Sequence, residues 1–118
     1  MKEKFAEFIA KARAGGAWEE LLDGVENLSG WEEFWNHRKA PLIAYWYAKN
    51  VLRSRWLEAE PIIAKKPDCS YAYALNVVRK RWPEGEPAII QHPMWAYYYN
   101  IYVLLGCLLY TSPSPRDS

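Results

Sequence analysis

The chain of 118 residues is long enough for one domain with a modest core. Aromatic residues make up 16% of it and the net charge is +1, a composition that argues against disorder and against a global attraction to nucleic acid or an anionic membrane. No apolar run reaches the roughly 18–20 residues of a membrane span. Cys69 and Cys107 are too few for a disulfide framework. We therefore expect an intracellular, cytoplasmic protein with no membrane partner.

Residues 1–41 predict a helical segment that does not follow the period of the later chain. Its apolar residues fall at helical spacing in three groups: Phe5, Phe8, Ile9 and Ala12; Trp18, Leu21, Leu22 and Val25; and Trp31, Phe34 and Trp35. Gly15 and Gly16 are expected to stop the first helix, and Ser29 is placed to cap the third. An array of repeats needs an end unit that shields its first repeat, so we expect residues 1–41 to be a divergent N-terminal cap.

The rest of the chain is a tandem repeat. Residues 44–67 and 70–93 are identical at thirteen of 24 positions when they are aligned with a shift of 26. Tyr97, Tyr99 and Val103 fall on the same phases after Pro93, which indicates the start of a third copy. A fixed period of this size is typical of stacked repeats. We expect full units at about 42–67 and 68–93, followed by the first helix of a third unit at 94–106.

Each unit predicts two helices. In the first helix, Ala44, Tyr47, Ala48 and Val51 fall at i, i+3, i+4 and i+7, which gives one apolar face. The second helix is short, about "EAEPIIAKK", and its start in the second copy stays open between the residue after Trp82 and Glu84. Pro67 and Pro93 are expected to close their units. The predicted fold is therefore all-α, with short helix-turn-helix repeats stacked as a small α-solenoid fragment.

Six side chains recur at equivalent positions in both units and are expected to be structural. These are Tyr47 and Tyr73, Arg55 and Arg81, Trp56 and Trp82, Glu58 and Glu84, Glu60 and Glu86, and Pro61 and Pro87. Each tryptophan is expected to fill the space between helices. Each arginine is expected to stack on that tryptophan or to pair with a glutamate. Pro61 and Pro87 are expected to lie in the first turn of a helix, the only part of a helix that tolerates proline. Ligand-binding positions are instead expected where the units differ: Lys49 and Leu75, Ser54 and Lys80, Lys65 and Gln91, and Lys66 and His92.

The pattern "YAxxVxxxRWxExEPxI…P" resembles short tandem repeats of tailed-phage, phage-like and metagenomic proteins. The match covers about residues 44–106. The resemblance implies the repeat type and a bacterial or phage-infected host cell, and it implies no activity and no catalytic residue.

The segment "CLLYTSPSPRD", residues 107–117, is similar to the translation of a sequencing adapter. The period supports this interpretation, because Cys107 and Leu108 stand where Arg81 and Trp82 stand one unit earlier. We expect the natural sequence to end near Gly106 and the natural protein to continue with further repeats, so that 107–118 is a non-native tail.

Charge is unevenly distributed along the chain. Residues 1–33 carry four basic and eight acidic residues, a formal charge of −4, whereas 34–106 carry ten basic and five acidic residues, a formal charge of +5. The basic clusters at 37–39, 53–55 and 79–81 could line one edge of the array, where neighbouring aromatic rings would stack on bases. The alternative is that these arginines only balance helix C-termini. Arg53, Arg79 and Lys80 are the candidate ligand-binding residues.

Signals for catalysis are weak. His37 and His92 have no metal ligand at a suitable spacing, and Asp68 beside Cys69 would raise the pKa of that thiol. No cofactor motif is found, and we expect no enzyme. The leading function is protein–protein interaction or scaffolding, with self-association possible through the truncated end. The alternative is a nucleic-acid-associated module that uses the basic helix ends.

Overall fold

A computed structural model describes residues 4–105, and the regular elements in this range are all helical. The all-α prediction is confirmed. Eight α-helices follow one another: α1 (Phe5–Ala14), α2 (Glu19–Leu22), α3 (Trp31–Trp35), α4 (Ala40–Tyr47), α5 (Glu60–Ile63), α6 (Pro67–Tyr73), α7 (Glu86–Ile89) and α8 (Pro93–Tyr98). The elements from α4 onward recur with the 26-residue shift of the sequence.

The first helix of each unit ends in a wider π-helical turn, which the apolar spacing did not predict. α4 continues into Ala48–Leu52, α6 into Ala74–Val78 and α8 into Tyr99–Leu105. The first two of these turns end at arginines in the left-handed region, with φ of 55° at Arg53 and 63° at Arg79. This conformation is common just after a helix, but it is usually adopted by glycine.

The second helix of each unit begins with a 3₁₀ turn. The turns Leu57–Ala59 and Pro83–Gly85 lead directly into α5 and α7. The structure thereby removes the ambiguity in the second copy, because regular structure begins at Pro83. Pro61 and Pro87 lie in the first turns of α5 and α7, as predicted.

Lys66 and His92, the residues before Pro67 and Pro93, are extended as predicted, but the two prolines do not belong to the helices of the units that they were expected to close. Each is the first residue of the next helix, α6 or α8. Proline is favoured at this position because its missing N–H would have no partner within the helix and its fixed φ suits a helix start.

Two details of the N-terminal segment also differ from prediction. Trp18 precedes α2 and is 48% exposed, whereas Leu21, Leu22 and Val25 of the same group are buried. Gly30, not Ser29, is the residue that precedes α3, and no side chain caps that helix. The Ser29 N–H instead donates to Glu33 Oε1 at 2.7 Å, and this hydrogen bond lowers the pKa of the Glu33 carboxyl.

The helices form one continuous core from α1 to the turn after α8. The face of α1 is buried as predicted, and Phe8 packs against Tyr47 of α4 with ring centroids 4.6 Å apart. Helix α4 packs against α6, and α6 packs against α8. The short helix α5 contacts both α4 and α6, and α7 contacts both α6 and α8. Within residues 4–105, no helix is both long and apolar enough to cross a membrane.

Candidate functional site

The repeated arginine, glutamate and tyrosine meet in a hydrogen-bonded cluster, which we call the repeat joint. Arg55 donates two hydrogen bonds to Glu60, from Nε to Oε2 at 2.8 Å and from Nη2 to Oε1 at 2.9 Å. The Tyr73 hydroxyl comes from the following unit. It donates to Glu60 Oε2 at 2.7 Å and accepts the backbone N–H of Trp56 at 2.8 Å. The joint therefore connects two consecutive units through charged and neutral hydrogen bonds.

The same geometry recurs one unit later. Arg81 donates to Glu86 at 2.8 Å and 3.3 Å, and the Tyr99 hydroxyl donates to Glu86 Oε2 at 2.7 Å. The backbone N–H of Trp82 donates to that hydroxyl at 2.9 Å. The first glutamates of each pair, Glu58 and Glu84, are exposed. The sequence suggested a pairing of arginine with glutamate, but the role of the tyrosine hydroxyl was not foreseen because its partner lies 13 residues away in the preceding unit.

The charge state of the joint follows from these contacts. Burial raises the pKa of Glu60, but the hydrogen bonds from Arg55 and Tyr73 lower it by more, so its carboxyl titrates below the ordinary value. At Glu86 the bond from Arg81 is the largest effect, and it also lowers the pKa. Burial raises the pKa of Tyr73 well above that of a free tyrosine. Near neutral pH the joint therefore holds an ion pair and a neutral phenol, a combination suited to holding units together.

Each repeated tryptophan packs on a tyrosine. The Trp56 and Tyr47 ring centroids are 5.3 Å apart, and those of Trp82 and Tyr73 are 4.8 Å apart. The buried indole N–H groups of both tryptophans make no hydrogen bond among the described residues.

The second feature is a polar cleft of about 760 Å³ between the C-terminal ends of the first helices of the two units. We call it the basic cleft. It is lined by Ala48, Lys49, Asn50, Arg53, Ser54, Leu75, Asn76, Val77 and Arg79. Three of these side chains are cationic, none is acidic and none is aromatic. The lining includes Lys49, Leu75 and Ser54, which are positions where the two units differ in sequence.

The basic cleft combines cationic side chains with two helix ends. A helix C-terminus carries about half a unit of partial negative charge, which favours cations beside it. Arg79 Nε also donates to the carbonyl of Asn76 at 3.5 Å, a contact of the helix-capping kind. With three cationic and no acidic side chains in its lining, the cleft is suited to an anionic group.

Not all the predicted basic residues share this cleft. Arg55 and Arg81 belong to the repeat joints, and Lys80 is exposed but does not line the cleft. The five basic residues of 53–55 and 79–81 therefore do not line the basic cleft together. The sequence did not show which of them line a cleft, because the cleft forms only once two units have packed together.

Other candidate reactive residues lie elsewhere. Cys69 is buried, and burial followed by the charge of Asp68 raises the pKa of its thiol to about 12. His37 Nδ1 accepts the backbone N–H of Lys39 at 3.1 Å, and His92 is exposed just before α8. In the part of the chain that the structure describes, no three histidine, cysteine or acidic side chains come close enough to hold a metal ion.

A third feature is the apolar surface around α8, at the last described unit. We call it the open end. A cleft of about 430 Å³ there is lined by Arg81, Glu86, Ile90, Ala96, Tyr99, Asn100 and Leu104. Large apolar side chains next to it are exposed over half or more of their surface: Ile90, Met94, Tyr97, Tyr102 and Leu105. Exposed apolar patches of this kind are typical of interaction surfaces.

The chain matches no protein-family model, no curated protein and no solved structure at a significant level.

Proposed function

We propose that the chain is an α-helical repeat module for protein–protein interaction, and that it binds an acidic segment of a partner protein in the basic cleft. The observation that carries the proposal is the position of Arg53 and Arg79, which come from consecutive units and line one cleft with Lys49. Binding across two units is how repeat arrays hold extended ligands. The proposed role is binding, without catalysis or a cofactor.

The proposal includes a solenoid arrangement of the units, in the phage-like repeat type that the sequence resembles. Two features support it. The repeat joint forms twice with nearly equal distances, and the molecule is elongated, with extents of 52 × 26 × 24 Å. In this arrangement residues 4–41 cover the first unit, since Phe8 and Trp31 pack on the ring of Trp56.

Nucleic acid is the second candidate, because guanidinium groups also bind phosphate. Proteins that hold single strands without sequence preference combine cations with aromatic rings on which bases stack. The basic cleft has cations and amides but no aromatic side chain in its lining. A carboxylate-bearing peptide satisfies these cations without needing a stacking surface, and for this reason we favour a protein partner.

The test compares two anionic probes under the same conditions. We expect a short fluorescein-labelled oligoglutamate peptide to bind the full chain at low salt, measured by fluorescence anisotropy. The double variant Arg53→Gln/Arg79→Gln should lose about tenfold or more in affinity, which corresponds to about 1.4 kcal/mol. The double variant Lys65→Gln/Lys66→Gln is the matched control, because it removes two exposed cations that do not line the cleft.

The outcomes separate the candidates. An oligoglutamate peptide that does not bind, or that binds both double variants equally, contradicts the proposal. A labelled mixed-sequence oligonucleotide that binds more tightly than the peptide, and that loses affinity in the Arg53→Gln/Arg79→Gln variant, would assign the cleft to nucleic acid.

A further inference from the structure

Two asparagines occupy equivalent positions in the two units, and both line the basic cleft. Asn50 and Asn76 are separated by the 26-residue shift of the repeat. Asn50 is exposed and Asn76 is half-buried. They directly follow Lys49 and Leu75, a position where the two units differ. The cleft therefore combines a recurring carboxamide with side chains that change from one unit to the next.

The hydrogen bonds that the two asparagines make within the chain are not equivalent. Asn50 Nδ2 donates to the carbonyl of Trp46, in its own unit, at 3.0 Å. Asn76 Nδ2 donates to the hydroxyl of Tyr45, in the preceding unit, at 3.0 Å. Because the two internal bonds differ, neither of them explains why asparagine recurs at this position. What the two residues share is their place in the lining of the cleft.

Both carboxamides keep hydrogen-bonding capacity. A carboxamide has two N–H donors and one oxygen that accepts hydrogen bonds. Each Nδ2 uses one donor for its internal bond, and within residues 4–105 neither Oδ1 accepts a hydrogen bond. The remaining N–H and the oxygen match the C=O and the N–H of a main-chain peptide group, which is itself an amide.

We propose that Asn50 and Asn76 each bind a main-chain peptide group of the acidic ligand, so that the cleft holds this ligand as an extended segment across both units. The inference rests on the proposed function and adds the conformation of the ligand to it. The backbone is the part of a peptide that repeats, so a recurring carboxamide suits it. An α-helical ligand would offer these amides little, because its N–H and C=O groups bond to one another.

The spacing of the units sets the register of the bound segment. The first helices of the two units pack against each other, and packed helices lie about 8–10 Å apart. An extended chain advances about 3.1–3.3 Å per residue, so the two asparagines meet peptide groups about three residues apart. Arg53 and Arg79 recur in the same lining, which favours ligand carboxylates at the same spacing.

The experiment measures the binding of two labelled peptides by fluorescence anisotropy. One is the oligoglutamate peptide, and the other is the same peptide with N-methylated peptide groups, which keeps the carboxylates but removes the main-chain donors. We expect the parent chain to bind the methylated peptide roughly tenfold more weakly, as for the loss of about two hydrogen bonds. In the variant Asn50→Ala/Asn76→Ala this ratio of affinities should fall to about twofold or less, because the main-chain donors then have no partner to lose.

Asn36→Ala is the matched control. Asn36 is exposed, and its Nδ2 donates to the carbonyl of Glu32 four residues earlier, as Asn50 Nδ2 does to Trp46, but Asn36 does not line the cleft. Its variant should keep the full ratio. The single variant Asn50→Ala, at an exposed position, should lower the ratio by an intermediate amount. Methylation changes the free peptide equally for every protein, so differences in the ratio report contacts in the complex.

The outcomes distinguish this inference from the proposed function. A methylated peptide that binds the parent as tightly as oligoglutamate overturns the inference, and so does an asparagine variant, single or double, that keeps the full ratio. In those cases the proposed function still stands if Arg53→Gln/Arg79→Gln weakens the binding of oligoglutamate. A parent chain that binds neither peptide contradicts the proposed function and the inference together.

Discussion

The Tyr73 hydroxyl donates a hydrogen bond to Glu60 Oε2 at 2.7 Å, across the boundary between two repeats. The same oxygen of Tyr73 accepts the backbone N–H of Trp56, so one side chain satisfies two buried groups of the preceding unit. The Glu60 carboxylate is largely buried and has lost most of its contact with water. If the Tyr73 hydroxyl were removed, this carboxylate would also lose one of the hydrogen bonds that replace that water.

We expect Tyr73→Phe to lower the free energy of unfolding by about 1–3 kcal/mol, since it removes the hydroxyl but keeps the ring that packs on Trp82. Urea denaturation followed by circular dichroism measures this difference. Tyr97→Phe is the matched control, because Tyr97 is 61% exposed and its change should have little effect. Equal stability of the two variants would show that the hydroxyl of Tyr73 contributes nothing to the joint.

Because of the repeat joints, we expect the folded chain to lose stability in acid. The pKa values of Glu60 and Glu86 lie below the ordinary value of 4.5 in the folded chain. Their contribution to stability is therefore fully present above about pH 4.5 and is lost as the pH falls through the lower folded values. The free energy of unfolding, measured in urea from pH 7 to pH 3, should decrease in that acid range.

The variant Glu60→Gln/Glu86→Gln separates this effect from general acid denaturation. It should be less stable than the parent at pH 7 but should lose less stability between pH 5 and pH 3, because neither position can then take up a proton. An unchanged slope would place the pH dependence on other carboxyl groups.

Gly85 is expected to tolerate no side chain. A Cβ built there would lie 2.4 Å from Cε3 of Trp82, whose ring is buried. Gly85→Ala should therefore lower the free energy of unfolding by about 1–3 kcal/mol, the usual cost of overpacking. Gly30→Ala is the control, because nothing lies within 4 Å of its Cβ position. Thermal unfolding of both variants tests this, and a Gly85→Ala chain as stable as the parent would contradict the close approach.

Substitutions at Arg53 separate the effect of its left-handed backbone on stability from the effect of its charge on peptide binding. Its φ of 55° is strained for any residue with a Cβ, so Arg53→Gly should be as stable as the parent or more stable by up to about 1 kcal/mol. It should still bind the oligoglutamate peptide more weakly. Arg53→Ala removes the same charge without relieving the backbone, and it should be the less stable of the two variants. A Gly variant that keeps full affinity would show that Arg53 serves only the backbone.

The helical fold could be predicted from the sequence because the apolar spacing of Phe5, Phe8 and Ile9, and of Ala44, Tyr47 and Ala48, depends only on local periodicity. The burial of Trp18 could not be predicted, because periodicity places a residue on a face but does not show whether a neighbour covers that face. The sequence also grouped Arg53 with Arg55, since basic residues two positions apart look alike in a sequence.

The sequence by itself determined the helical class, the 26-residue period and the identity of the residues that recur, because these follow from local propensity and internal identity. Only the tertiary structure decided what those residues do. The π-helical turns and the left-handed arginines set the direction of each side chain, so Arg55 meets Glu60 while Arg53 faces the basic cleft. The bond from Tyr73 to Glu60 joins residues 13 positions apart in the chain, and such a contact exists only once consecutive units have packed together.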